Sequence, residues 1–238
     1  PVVKAMHAAL FERRVLGRAH VHALNIAEAD SIRVFAANTA ERLFVLPNGI
    51  DPITEISPAQ PKTGVLYLGR LHEKKQVLQL VQAWTHLTEP PELSVAGWGD
   101  EQYATQAEAA CADGPSVYFL GPLYGRDKSA AFAAARFFIL PSLSEGMPMA
   151  VLEALQHGCI PILTDACNLP ELFTAGIAER IAPDLSNLAS VLERVGRLSE
   201  AELDARSKAA QGFSARYHWP EIASSMLARY AEILSKIR

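Results

Sequence analysis

Residues 137–171 read FFILPSLSEGMPMAVLEALQHGCIPILTDACNLPE. Phe137 to Leu140 is a short apolar run closed by Pro141, the pattern of a strand buried on both faces. A polar loop, Ser142 to Gly146, follows. Pro148 suits a first helical turn, where its missing N–H has no partner to lose, and Gly158 is placed to end the helix after about His157. Cys159 to Leu163 is then the next buried strand. Two glutamates fall inside this strand–loop–helix–strand unit, Glu145 in the loop and Glu153 in the second helical turn. A helix that starts at a strand's C-terminal edge points its free N–H groups into the crevice where open α/β sheets bind ligands. Glutamates beside such an anion site can accept hydrogen bonds from a ligand's hydroxyls. The combination suits a sugar-bearing phosphate.

The same rhythm extends outward on both sides. Strands are expected at Val65 to Leu68, Leu93 to Ala96 and Val117 to Leu120, and helices at Gln76 to Leu87, Glu101 to Ala112 and Asp127 to Ala135. This alternation predicts an α/β fold with a Rossmann-like parallel sheet and helices on both faces. Glycine follows most strand ends: Gly69, Gly97 with Gly99, and Gly121. In a doubly wound sheet those loops share one edge, so ligand contacts should collect there. Leu185 to Arg197 and Glu200 to Phe213 read as surface helices, and Pro220 to Ile237 as an amphipathic one.

Toward the start, residues 1 to about 24 have helical periodicity through Val3, Met6, Leu10, Val15 and Leu16, with Lys4, Arg13, Arg14 and Arg18 making the segment basic. Such a helix either presents a solvated face or attaches peripherally to the anionic inner face of a membrane. A second helix is expected near Glu28 to Ala36 and a strand at Arg42 to Leu46. Pro47-Asn48-Gly49 is turn chemistry, with Gly49 free to take positive φ. Pro52, Pro58 and Pro61 then give a linker composition. The expected organisation is 1–50 as the tail of an incomplete N-terminal domain, 51–62 as linker, 63–215 as the Rossmann-like domain and 216–238 as a C-terminal crossover helix.

Composition narrows the function classes. With 238 residues, half of them hydrophobic, the chain can bury a sizeable core. A net charge of −4 gives no electrostatic case for a nucleic-acid partner. Cys111, Cys159 and Cys167 have neither zinc-ligand spacing nor the even count of a disulfide framework, which favours a reducing, cytoplasmic compartment. Cys159, opening an apolar strand, is simplest as a core residue. His72 and His157 lack metal-ligand partners and read as cap or surface residues. No Asp-x-Asp, Gly-x-Ser-x-Gly or phosphate-loop lysine motif occurs, and Gly69-Arg70-Leu71 stands where a dinucleotide enzyme would carry Gly-x-Gly-x-x-Gly. Arg70 and Lys75 bracket the loop after the first strand of the repeat, where two cations could neutralise a diphosphate; ordinary solvent-facing charge is the plainer reading for Lys74 and the lesser one for Arg70 and Lys75.

In combination, PNGID, LYLGRLHEKKQ, VAGWGDE, VYFLG and PSLSEGMPMAVLEALQHGCIPILTDACNLPE resemble the donor half of a retaining, family-4-type glycosyltransferase of GT-B fold, in order, spacing and strand context, from about residue 28 to the C-terminus. The two glutamates match that family's paired-glutamate motif. The resemblance implies a metal-independent enzyme that moves a hexose-type sugar from a nucleotide-diphosphate sugar, a UDP- or GDP-sugar, to a saccharide or glycolipid acceptor with retention of configuration, in polysaccharide or lipopolysaccharide assembly. Arg70 and Lys75 would hold the diphosphate and, with Glu145, form the catalytic set. Glu153 would accept from the ribose and Glu145 from the donor sugar. Gly69, Gly97 and Gly99 would line the donor site. Backbone N–H groups of Gly146, Met147, Met149, Ala150 and Leu152 would meet the sugar or phosphates, with Pro148 part of the same turn, and Phe119 to Leu123, with Leu120, would border the nucleobase.

Three departures from the family pattern stand out. Glu73 and Gln76 replace a common proline and glycine, and Met147-Pro148-Met149 replaces the commoner Phe-Gly at the sugar end. About 50 residues precede the linker, too few for the ~100–150 residues of a complete first domain. The expectation is therefore a donor-binding half that does not turn over alone. A non-catalytic nucleotide-sugar-binding or regulatory module is the alternative.

Overall fold

The computed structural model describes residues 12–53, 61–114 and 116–236. The chain divides into two compact units, Pro1–Gly49 with Tyr217–Arg238, and Ile50–Arg216.

In the smaller unit, α1 (Arg13–Leu16) is followed by β1 (Val21–Ala23), α2 (Ile26–Phe35) and β2 (Leu43–Val45). Residues 1–11 of the expected first helix lie outside the described residues, and from 12 onward the helix is only one turn long. The reason is pairing: Val21, His22 and Ala23 run parallel to Leu43, Phe44 and Val45, and the His22 ring stacks on Phe44 at 5.1 Å. The second helix begins earlier than periodicity suggests because Asn25 caps it, its side chain accepting from Glu28 N at 2.8 Å while Glu28 Oε2 accepts from Leu24 N at 2.7 Å. Gly49 does not adopt positive φ. Its missing side chain serves a different purpose, since a Cβ there would stand 2.5 Å from the Trp219 ring.

The larger unit alternates strand and helix: β3 (Thr63–Leu71), α3 (Val77–Thr85), β4 (Leu93–Gly99), α4 (Glu101–Ala112), β5 (Val117–Gly121), α5 (Gly125–Ala134), β6 (Ala135–Leu140), α6 (Met149–Gln156), β7 (Ile160–Leu163), α7 (Pro170–Thr174), β8 (Glu179–Arg180), α8 (Leu188–Gly196) and α9 (Glu200–Ser214). The helix α10 (Trp219–Ser235) follows in the smaller unit. The six strands form one parallel sheet in the order β5-β4-β3-β6-β7-β8. The predicted α/β architecture is the one observed. The apolar runs that announced the strands are its core: Val65 to Leu68, Phe138 to Leu140 and Ile160 to Leu163 are all buried, and α3 and α6 add Leu80, Trp84, Leu152 and Leu155.

Two differences from the sequence reading bear on the site. The strand β3 continues through Gly69 and Arg70 to Leu71, because β4 accompanies it over its whole C-terminal half, Gly69 opposite Gly97 and Leu71 opposite Gly99. A Cβ on Gly97 would stand 2.1 Å from Gly69 O and one on Gly99 2.3 Å from Leu71 O, so both glycines have a packing reason for being there. The sixth strand, β8, gave no signal because it is two polar residues long. It is held by Ile181 N donating to Leu163 O at 2.9 Å and by Glu179, whose carboxylate takes Arg194 and Arg206, both at 2.6 Å.

Candidate functional site

Strand order locates the site. From β3 the chain winds outward through β4 to β5, and from β6 it winds the other way through β7 to β8. The direction reverses between β3 and β6, so the loops leaving these two strands diverge and leave a crevice at their C-terminal ends. Those loops are His72–Gln76 and Pro141–Pro148, and they carry Lys75 and Glu145.

The first loop is a tight 3-10 turn, Glu73–Lys75, capped by His72, whose Nδ1 accepts from Lys74 N at 3.1 Å. Leu143 N donates to Lys74 O at 2.8 Å and ties the second loop to the first. Across this junction Lys75 Nζ and Glu145 Oε1 form an ion pair, with the glutamate side chain only 8% exposed and the lysine 22%. Ser142 Oγ donates to the same carboxylate oxygen at 2.5 Å. The loop backbone is fixed as well: Asn168 Nδ2 donates to Glu145 O at 2.6 Å, Glu145 N donates to Ala166 O at 3.1 Å, and Thr164 Oγ1 donates to Ser142 O at 2.5 Å. The other carboxylate oxygen, Oε2, makes no hydrogen bond among the described residues. It is a pre-positioned acceptor.

Beside it begins α6, with Pro148 as N-cap and Val151 N the first donor back to Pro148 O at 2.9 Å. The N–H groups of Met149 and Ala150 precede that ladder, as first-turn donors do. Gly146 faces open space where a Cβ would stand. Leu152 differs from its neighbours: it is buried, and its N–H already points at Pro148 O at 3.4 Å. One turn on, Glu153 Oε1 accepts from Lys128 Nζ of α5 at 2.8 Å, with both side chains about one-third exposed. An exposed pair of this kind contributes about 0–1 kcal/mol and exchanges readily for another partner. Lys128 was not foreseen, since nothing local in GRDKSAAF marks it as a neighbour of α6.

Arg70 is the penultimate residue of β3, in register with Trp98, and its carbonyl accepts from the Tyr67 hydroxyl at 3.0 Å. Its exposed side chain lines a cleft of about 410 Å³ with Leu71, His72, Glu73, Asp100 and Tyr103. It pairs with neither glutamate. Trp98 and Tyr124, both substantially exposed, stand 6.2 Å apart, and Leu120 is exposed near the end of β5. The structure thus joins Lys75 to Glu145 directly, joins Glu153 to Lys128, and leaves Arg70 in a cleft of its own along the same edge. Gly69, Gly97 and Gly99 are strand residues behind that edge.

The remaining titratable groups read as structural. His157 is the C-cap of α6, stacked on Phe132 at 5.6 Å, and burial, with the charges of Lys62 and Lys128, lowers its pKa to about 4. Burial raises Cys111 and Cys159 to about 11 and Cys167 to about 12, which makes all three poor nucleophiles. Among the described residues no group of three or more His, Cys, Asp or Glu is placed to hold a metal ion. No described helix is long and apolar enough to cross a membrane.

Comparison with known proteins adds the following. Residues 62–198 match the family model described as glycosyl transferases group 1. The chain is 26% identical over 237 residues to the GDP-mannose:cellobiosyl-diphosphopolyprenol alpha-mannosyltransferase of Xanthomonas campestris, covering 94% of this chain and 62% of that protein. Among solved structures it is similar to sucrose-phosphate synthase from Thermosynechococcus elongatus, with a TM-score of 0.78 and 20% identity over 94% of this chain and 61% of that one. It is likewise similar to Anabaena HepE in complex with UDP-glucose, with a TM-score of 0.77 and 21% identity over 94% of this chain and 66% of that one. The chain spans less than two thirds of the length of each.

Proposed function

The chain belongs to the glycosyl transferases group 1 family and shares the α/β GT-B fold of its structural neighbours, and from that premise we propose that Ile50–Arg216 binds a nucleotide-diphosphate sugar and serves as the donor half of a retaining, metal-independent hexosyltransferase. The observation that carries this reading is the Lys75–Glu145 pair at the switch point, a cation and a half-satisfied carboxylate side by side at the N-terminus of α6.

Each part has a chemical use. The diphosphate carries the negative charge, and charge grows on its leaving oxygen as the glycosidic bond breaks. Lys75 and Arg70, with the first-turn N–H groups of α6, offer donors for that charge. They take the part a metal plays where acidic ligands are available. Glu145 accepts from a hydroxyl of the donor sugar through Oε2, and this orients the anomeric carbon toward the side from which the acceptor arrives. Glu153 exchanges Lys128 for the ribose hydroxyls. The acceptor in this reading is a saccharide or glycolipid, a class supported by the name of the Xanthomonas relative. UDP and GDP are both candidate nucleotides, since the relatives' names cite GDP-mannose and UDP-glucose.

The test is a thermal-shift panel of UDP, GDP, ADP and their sugars, followed by calorimetry, with and without EDTA. One diphosphate and its sugar conjugate should stabilise the chain by about 2.7 kcal/mol at a hundredfold excess over Kd, and EDTA should change nothing. No stabilisation by any of them refutes donor binding. Loss of binding in EDTA refutes metal independence.

A further inference from the structure

Gln76, directly after Lys75, has φ 55° and ψ 32°, in the left-handed region where a side chain is strained and glycine or asparagine is the usual occupant. It is nevertheless a long side chain, and it is 7% exposed. Strain of this kind persists only where surrounding contacts over-determine it. Here they do. Gln76 N donates to Glu73 O at 3.0 Å and Gln76 O accepts from Leu80 N at 2.8 Å, which fixes the backbone between the 3-10 turn and α3. The carboxamide then spends both its N–H donors on distant carbonyls: Nε2 donates to Pro141 O at 2.6 Å and to Pro183 O at 2.8 Å.

Those two carbonyls belong to the loop after β6 and the segment after β8. One amide therefore joins three segments along the C-terminal edge of the sheet. Its own backbone neighbour is Lys75, and Pro141 opens the loop that carries Glu145. A glycine would satisfy the backbone conformation better but would leave both carbonyls without this donor.

We propose that Gln76 is a positioning residue for the donor site: its carboxamide holds the lysine turn against the glutamate loop, so that Lys75 meets the diphosphate while Glu145 keeps an open oxygen. This rests on the nucleotide-sugar reading above. The role acts through Lys75, and that separates it from mere stabilisation of the fold.

The test is a double-mutant cycle. Gln76→Gly and Gln76→Asn are made in the parent chain and in Lys75→Ala, and Kd for UDP and GDP is measured by calorimetry beside the melting temperature. Asparagine tolerates the backbone angle but is one methylene too short to reach both carbonyls. In the parent, each substitution should weaken the diphosphate by about 5- to 20-fold, the size of coupling expected between contacting residues. Glycine should leave the melting temperature within a few degrees, because relief of strain offsets the lost bonds. In the Lys75→Ala background the same substitutions should change Kd less than about twofold. An undiminished loss in that background overturns the proposal, as does an unchanged Kd in the parent or a failure of both variants to fold. If Lys75→Ala alone leaves Kd unchanged, the donor-site reading falls and the positioning role falls with it.

Discussion

Replacing Glu145 with glutamine should tighten the bare nucleoside diphosphate and loosen the nucleotide-sugar relative to it. In the free chain the Glu145 carboxylate, only 8% exposed, neutralises Lys75. On the proposed donor-site reading, an arriving diphosphate competes with it for that cation and is repelled by it. At an effective dielectric constant of about 20 and a separation of about 6 Å, one pair of unit charges interacts by about 3 kcal/mol. Salt and the partial exposure of Lys75 reduce this, leaving about 1 kcal/mol, or about fivefold in Kd. Glutamine preserves the side-chain length and an oxygen for the Ser142 hydroxyl, so the loop should hold and the melting temperature should fall little. The sugar conjugate gains the same electrostatic relief but exchanges a charge-assisted bond to a sugar hydroxyl for a neutral one, at a cost of about 1–3 kcal/mol. The ratio of the two dissociation constants should therefore rise severalfold or more over the parent. Calorimetric titration of both ligands at two ionic strengths reads this directly, with the gain for the diphosphate shrinking at high salt. Equal factors for the two ligands would mean that Glu145 does not face the sugar.

Glu153→Ala should weaken diphosphate and conjugate alike, by about 1–3 kcal/mol, because both carry the ribose; calorimetry that finds only the conjugate affected would reassign this carboxylate. For Glu179, burial raises the carboxyl pKa, but the hydrogen bonds and charges of Arg206 and Arg194 outweigh burial and the net shift is downward from the ordinary value of 4.5. The stability it contributes is present above that value and is lost as pH falls through the lowered folded-state pKa. Melting curves taken from pH 6 downward should accordingly decline below about 4.5, and Glu179→Gln should show a smaller decline; parallel curves would argue that this cluster does not set the acid limit.

The sequence by itself determined most element types of the larger unit and the sheet edge that carries the candidate site, but neither β1, which lies where a helix was expected, nor the two-residue β8. Alternating buried runs and amphipathic stretches are local signals, and local hydrogen bonding follows them: α4 occupies Glu101–Ala112 as read, and β6, α6 and β7 fall within a few residues of their expected ends. The paired glutamates were legible because a strand–loop–helix places both at one edge. Tertiary structure decided who meets whom. Lys75 and Glu145 are 70 residues apart in the chain and Lys128 and Glu153 are 25 apart, and each pairing follows from the strand order, which alternation alone does not specify. The roles of Gly97, Gly99 and Gly49 also depend on a neighbouring strand or ring that arrives from elsewhere in the sequence. Gln76 is the sharpest case. Its residue type argues against the conformation it adopts, and only the two distant carbonyls that receive its amide explain why it is there.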